Sequence, residues 1–246
     1  MNDKVIKVYK KVGETPLDCI HNLKKEYPEW GLFPMTYAGR LDPLAEGVLL
    51  ILVGDECNRK DEYLNLSKEY EVDILFGFAT DTYDVMGKLE NSNSCYAFAL
   101  QDVLPKFIGK IKQSYPPYSS RPVNGKPLFM WAREGKLDEI EIPTHNVFIE
   151  NIEIIENREI LGRDLLEEVK EKIAKVKGDF RQKEILKIWE EKLKDKEEEK
   201  YPVVKLRISC GSGAYMRSIA NDIGKELGIP ALAFKIVRTK VGEFRL

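Results

Sequence analysis

Much of what usually marks out a function in a sequence is scarce here. There are only two histidines, His21 and His145, far apart and in no catalytic or metal-binding context. The four cysteines, Cys19, Cys57, Cys95 and Cys210, show no C-x-x-C spacing. That argues against a zinc site and against a disulfide framework, and it suits a reducing cytoplasm. No run approaches the roughly 18 apolar residues of a membrane span. The stretch Met1 to Lys7 lacks the long apolar core of a signal peptide. An excess of one charge is missing too, with a formal net charge of −2. Nothing global therefore announces a nucleic-acid partner, although a local basic face can suffice. The phosphate-loop patterns G-x-G-x-x-G and G-x-x-x-x-G-K-[ST] are absent, which weakens a nucleotide-binding reading of the Gly211-Ser212-Gly213 turn.

What is present is a hydrophobic content of 43% over 246 residues, enough for a real core in one large domain or two small ones. The stretch Gly39-Arg40-Leu41-Asp42-Pro43-Leu44-Ala45-Glu46-Gly47 stands out. Proline biases the residue before it towards extended backbone, so Asp42 rides on a turn. Such an aspartate is either a turn residue bonding its own backbone or a carboxylate kept ionised by a nearby cation for use as nucleophile or base.

Periodicity places the elements around it. Lys4 to Tyr9 alternates as a strand, and Thr15 caps a helix with Pro16 at its first position, running to about Tyr27. Val48 to Gly54 reads as a strand buried on both faces, and Ser67 to Gly77 as another. Asp55 to Asn65 reads as a short polar helix, Thr80 to Gly87 as a turn closed by Asp and Thr side chains, and Tyr96 to Phe107 as a helix. Tyr115 to Gly135 interleaves aromatics with Arg121, Lys126 and Arg133, the combination that stacks bases and meets phosphates. Val147 to Ile155 and Tyr201 to Cys210 are strands, and a glycine turn follows into a helix from about Tyr215. Between those strands, Asn157 to Lys200 reads as a charged helical hairpin. Its stripes are Leu166-Val169-Ile173-Val176 and Leu186-Trp189-Leu193, with Asp179-x-x-Gln182 as a capping box. The hairpin is either a solvated decoration or a surface for RNA or a partner.

Six ordered motifs together resemble the TruB family of tRNA pseudouridine synthases. The Asp42 stretch is similar to G-x-L-D-P-x-A-x-G, whose aspartate is the family's nucleophile. Lys68-Glu69-Tyr70 resembles K-x-Y, whose tyrosine packs on the target base. Thr80 to Gly87 resembles T-D-T-x-D-x-x-G, and Pro116 to Gly135 resembles the stretch leading into an RNA-gripping thumb. Cys210 to Gly224 resembles C-S-x-G-T-Y-I-R-T-I-x-x-D-L-G, and Ile236 to Phe244 resembles the closing L-R-R-T-x-x-G-x-F.

The resemblance implies catalytic roles for Asp42, Tyr70 and Arg217. It implies substrate contacts for Tyr37, Arg40, Arg121, Tyr215, Ile236 and Arg238. It departs at Lys11, which replaces a proline, at Tyr37, which replaces a histidine, and at Pro122, where a lysine is usual and Arg121 stands next door. The implied fold is α+β, a central mixed or antiparallel sheet flanked by helices. It forms a single catalytic domain over residues 1–246 with the hairpin inserted at 157–200. The C-terminal PUA domain that many members carry is expected to be missing. The implied activity is isomerisation of the T-loop uridine (position 55) of tRNA, with the base flipped out, no cofactor and no metal. The protein is expected to be a monomer that engages the T-arm. A non-catalytic RNA-binding or tRNA-folding protein on the same scaffold is the alternative.

Overall fold

The computed structural model describes residues 4–92 and 99–246. The chain opens with β1 (Lys4–Lys10) and α1 (Pro16–Glu26), followed by β2 (Met35–Ala38), β3 (Ala45–Val53), α2 (Lys60–Leu64) and β4 (Lys68–Phe76). A small hairpin of β5 (Phe78–Thr80) and β6 (Leu89–Ser92) precedes α3 (Leu100–Val103) and β7 (Gly109–Ser114). The short strands β8 (Pro122–Val123) and β9 (Lys126–Pro127) lead into α4 (Leu128–Arg133). Then come β10 (Thr144–Leu161), α5 (Gly162–Lys175), α6 (Gln182–Leu193), β11 (Lys200–Cys210), α7 (Met216–Leu227), β12 (Ala231–Val241) and β13 (Phe244–Arg245).

One sheet organises them, in the order β1-β3-β12-β4-β11-β10-β7, with β2 on β3 and β13 on β12. Among the described strands only the β3–β12 pair is parallel, so the sheet is mixed and the fold is α+β, as expected. Alternation of side chains sorts the core into two faces. Tyr70, Val72, Ile74 and Phe76 of β4 lie with Leu206, Ile208 and Ile236 under α3 and α7. Leu75, Val203, Leu232 and Phe234 point the other way, into a cluster filled by α5 and α6. The strand expected to be buried on both faces is so: Val48 to Leu52 are each 0% exposed. The N-terminus of α1 carries the expected cap, Thr15, in a full capping box with Asp18.

The region between β10 and β11 differs from its sequence reading. Asn157 to Leu161 are not helical; they extend β10 against Lys200 to Val204. Their charged side chains pair across the ribbon, as in Lys200–Glu159 at 2.9 Å, so a high charge density there marked strand edges rather than a helix. The expected stripes hold at Val169, Ile173, Val176, Trp189 and Leu193, all buried, and shift by one residue only at the start of each helix. Leu165 and Ile185 are fully buried where Leu166 and Leu186 were expected, because both helices face the sheet as well as each other. The capping box is also absent. The residue preceding α6 is Arg181, at φ 63°, with no side-chain cap. Gln182 instead closes the inter-helix turn, donating to the carbonyls of Val176 and Gly178. The hairpin is therefore core, not decoration. Of the expected helix Tyr96 to Phe107, residues 96–98 lie outside the described residues; within the described part α3 is α-helical and a 3-10 turn at Leu104–Phe107 continues it.

Candidate active site

Asp42 sits on the loop between β2 and β3, and the loop is held from below by lysine. Lys10, fully buried at the end of β1, donates to the backbone carbonyls of Asp42 (3.1 Å), Ala45 (2.6 Å) and Lys11 (3.2 Å). Burial pulls its ammonium down to about 8, against the nearby charge of Asp42, which favours the cation. The amide of Gly13 donates to the carbonyl of Pro43 at 2.9 Å, tying the neighbouring loop to the same turn.

Arg238, on β12, supports the other side. It is 1% exposed and donates to the carbonyls of Val48 (2.7 Å) and Gly39 (3.0 Å). At Gly47 a Cβ would lie 2.2 Å from the Arg238 carbonyl oxygen, so the close parallel pairing of β3 and β12 requires glycine there.

Arg217, the second residue of α7, is brought to this loop from 175 positions away. Its Nε donates to Asp42 Oδ2 at 2.8 Å. One terminal nitrogen donates to the carbonyl of Thr82 at 2.8 Å and the other reaches the carbonyl of Tyr118 at 3.5 Å. Asp84 adds a second carboxylate 3.7 Å from Nε. Burial opposes the charge of Arg217, but Asp42 and Asp84 outweigh it and raise the guanidinium further. The cation is buried, with its side chain 4% exposed, while that of Asp42 is 34% exposed. The carboxylate thus meets its counter-charge on one side and open space on another.

Tyr70 lies beneath this pair, in the cluster that contains Leu41, Ala45, Met216 and Ile236. Burial raises its phenol above the ordinary tyrosine value even with the Arg238 cation beside it. Tyr70 is therefore a neutral phenol at neutral pH. Tyr215 immediately precedes α7, its amide and carbonyl both bonded to the Gln113 side chain. Burial, then the charge of Asp42, raise its phenol as well. Beside it an aromatic layer has formed: Tyr115 stacks on His145 at 4.1 Å, Tyr215 meets both edge-on, and Arg121 covers Tyr115 at 5.1 Å.

The structure therefore brings together Asp42, Arg217, Tyr70, Tyr215, Ile236 and Arg238. It does not bring Tyr37 into that group: its ring packs with the α1 cluster around Leu49 and Ile51 and lies under Lys60 at 5.4 Å. Arg40 is exposed and makes no ion pair among the described residues. The counter-charge of Asp42 is thus Arg217, not its near neighbour Arg40. Sequence reasoning gave no role to Lys10 and read Thr82 and Asp84 only as turn residues. A lysine closing an alternating strand was the signal for the first. For the others, a second acidic turn with its own glycine was the signal.

A mixed sheet carrying these loops and helices is a fold shared with solved structures. One chain in a crystal structure of a Cbf5-Nop10-Gar1 complex superposes with a TM-score of 0.58, at 18% identity, over 98% of this chain and 49% of that one. A second, in a structure of an H/ACA RNP bound to a substrate RNA containing 2′-deoxyuridine, gives a TM-score of 0.56 over 98% of this chain and 48% of that one. These likenesses define the fold, and this chain spans about half the length of each solved chain. Residues 34–178 match the family described as TruB family pseudouridylate synthase (N terminal domain). The protein named tRNA pseudouridine synthase B of Nostoc sp. (strain PCC 7120 / SAG 25.82 / UTEX 2576) is 33% identical over 98% of this chain and 68% of its own length. That of Carboxydothermus hydrogenoformans is 32% identical over 99% of this chain and 71% of its own. The chain belongs to the TruB family of pseudouridylate synthases.

Proposed function

We propose that this protein is an isomerase that converts a uridine of tRNA into pseudouridine, and that the uridine is the T-loop one. The observation that carries the reading is the ion pair of the partly exposed Asp42 with the buried Arg217, 2.8 Å apart, with Tyr70 in the core cluster that holds Leu41 and Met216. The reaction breaks the bond from C1′ to N1, turns the base and joins C1′ to C5. The proton on C5 is lost and N1 gains one, so the exchange balances with no oxidant and no phosphate. It asks for an anion that can attack or stabilise the sugar–base unit, and Asp42 is placed as that nucleophile. Arg217 keeps a fixed positive charge on the side away from the open face.

The target base must first leave its stack, at a cost of a few kcal/mol that is smallest in a loop. Tyr70 supplies an aromatic floor for the extruded base. It holds the base by stacking, and it is the side chain we assign to removal of the C5 proton. Tyr215 and Ile236 line the same region, and Arg238 works through the loop carbonyls it holds. Arg121 on Tyr115 offers a cation and a ring to the RNA strand, and the unpaired Arg40 offers a phosphate contact beside the nucleophile. The test is to incubate a T-arm stem-loop with the protein and map pseudouridine. Conversion at the T-loop uridine is the expected result; binding without conversion would favour a non-catalytic RNA-binding protein.

A further inference from the structure

The turn between α5 and α6 reaches the catalytic pair along two routes. At its tip, Arg181 places a two-pronged guanidinium on Asp81, with contacts of 2.6 and 3.2 Å, and lies over the ring of Tyr118 at 4.6 Å. The Tyr118 hydroxyl donates to the same carboxylate at 3.2 Å. Asp81 also accepts the amide of Lys88, which closes the turn on which Thr82 and Asp84 sit. The carbonyls of Thr82 and Tyr118 are two of the acceptors that orient Arg217. So the two segments that aim Arg217 at Asp42 are joined to each other by Asp81 and Arg181.

The second route runs from the C-terminal end of α5. A Cβ at Gly13 would lie 2.0 Å from the Lys175 carbonyl oxygen, so that helix end rests directly on the loop bonded to Pro43. Leu44, two residues after Asp42, packs against the cluster containing Val169 and Trp189. Arg133, from α4, donates to the carbonyl of Asp179 in the same turn. Arg181 holds a left-handed backbone, φ 63°, which disfavours a residue with a side chain unless its surroundings fix it. That backbone places one guanidinium where α4, the Asp81–Asp84 turn and Tyr118 meet.

We propose that Arg181 is a positioning residue for the reaction, and that the α5–α6 hairpin is the brace that sets the angle between Arg217 and Asp42. This rests on the proposed isomerase activity. Arg181 itself does not touch the substrate. It acts through Asp81 and Tyr118, and its loss lets the Thr82 and Tyr118 carbonyls drift from Arg217. Misplacement of a catalytic group by about 1 Å can cost on the order of 100-fold in rate.

The experiment compares wild-type protein with Arg181→Ala on a T-arm stem-loop, reading kcat and KM separately. Amide hydrogen exchange of residues 80–88 and the urea midpoint are followed in parallel. The expected result is a kcat about 10- to 100-fold lower, a KM within about threefold, and faster exchange in 80–88 but not in β4. An unchanged kcat would overturn the proposal. So would a loss confined to KM, which would make Arg181 an RNA contact, or a kcat loss that tracks the urea midpoint. Should Arg181→Ala not fold, Arg181→Lys keeps the charge without the two-pronged geometry and carries the same test. If the wild-type protein makes no pseudouridine, the isomerase reading falls. The exchange comparison then still decides the brace, and equal exchange in both proteins would overturn it.

Discussion

A carboxylate that meets a buried arginine on one side and solvent on another has only one direction in which to react. Asp42→Asn keeps the size of the side chain and removes its charge. It should abolish pseudouridine formation while leaving RNA binding within about tenfold, because the amide cannot serve as nucleophile. Conversion and binding are measured on the same stem-loop, and turnover near the wild-type rate would remove Asp42 from that role. Lys10 lends itself to a test by pH. Its folded-state value is about 8 against an ordinary 10.5, so between those values the unfolded chain binds more protons than the folded one. Stability from this group is fully present above about 10.5 and is lost as pH falls through about 8. The difference in unfolding free energy between wild-type protein and Lys10→Met should therefore shift in favour of wild type as pH rises from about 8 to 10, by on the order of 2 kcal/mol. Urea titrations at several pH values measure it, and a flat difference would show that burial does not perturb Lys10. At this scale Asp42 and Arg217 were legible because each sits inside a specific motif. Lys10 and Asp84 were not, since their importance comes from carbonyls and cations supplied by distant segments.

Secondary structure was legible where one face of an element decides its pattern. The apolar run Val48 to Val53 of β3 and the capped α1 follow directly from their residues, because burial on both sides and a Thr-Pro start leave few alternatives. The α5–α6 hairpin was legible as two amphipathic helices, and not in its partner. Its stripes show that something apolar must cover them, but the covering surface is Phe78, Phe234 and Leu232, contributed by strands whose outward faces look like ordinary strand residues in sequence. Replacing the hairpin by a short turn would therefore expose the sheet's second core. Trp189, 0% exposed and packed 5.1 Å from Phe78, concentrates that dependence. Trp189→Ala should destabilise the protein by about 3–5 kcal/mol, read as a large drop in the urea midpoint. A midpoint close to wild type would mean the helices fold on each other and not on the sheet.

For the molecule as a whole, a net charge of −2 means that attraction to RNA has to be local. Arg121 is exposed, and Lys126 is paired to Glu134 at 2.7 Å, so the two should contribute unequally. Arg121→Ala should weaken stem-loop binding and flatten its dependence on log salt by roughly 0.7–0.9, the share of one phosphate contact. Lys187→Ala, on an exposed hairpin residue beside Glu191, serves as the control and should leave the slope as it is. An unchanged slope in Arg121→Ala would take that residue off the RNA path. The overall class, helices on a mixed sheet, was readable from the family motifs, which imply it. The strand order was not, because it depends on pairings between segments far apart in the chain.

That order carries a consequence for how the protein is made. β3 and β4 do not pair with each other; each pairs with β12, which lies between them. During synthesis the first 230 residues leave the ribosome with two strand edges facing a gap, and open edges are where chains stick to one another. Arg238, which holds the loop of Asp42, arrives on that same strand. Closing the sheet and setting the loop of Asp42 are thus one event, delayed until β12 has been translated.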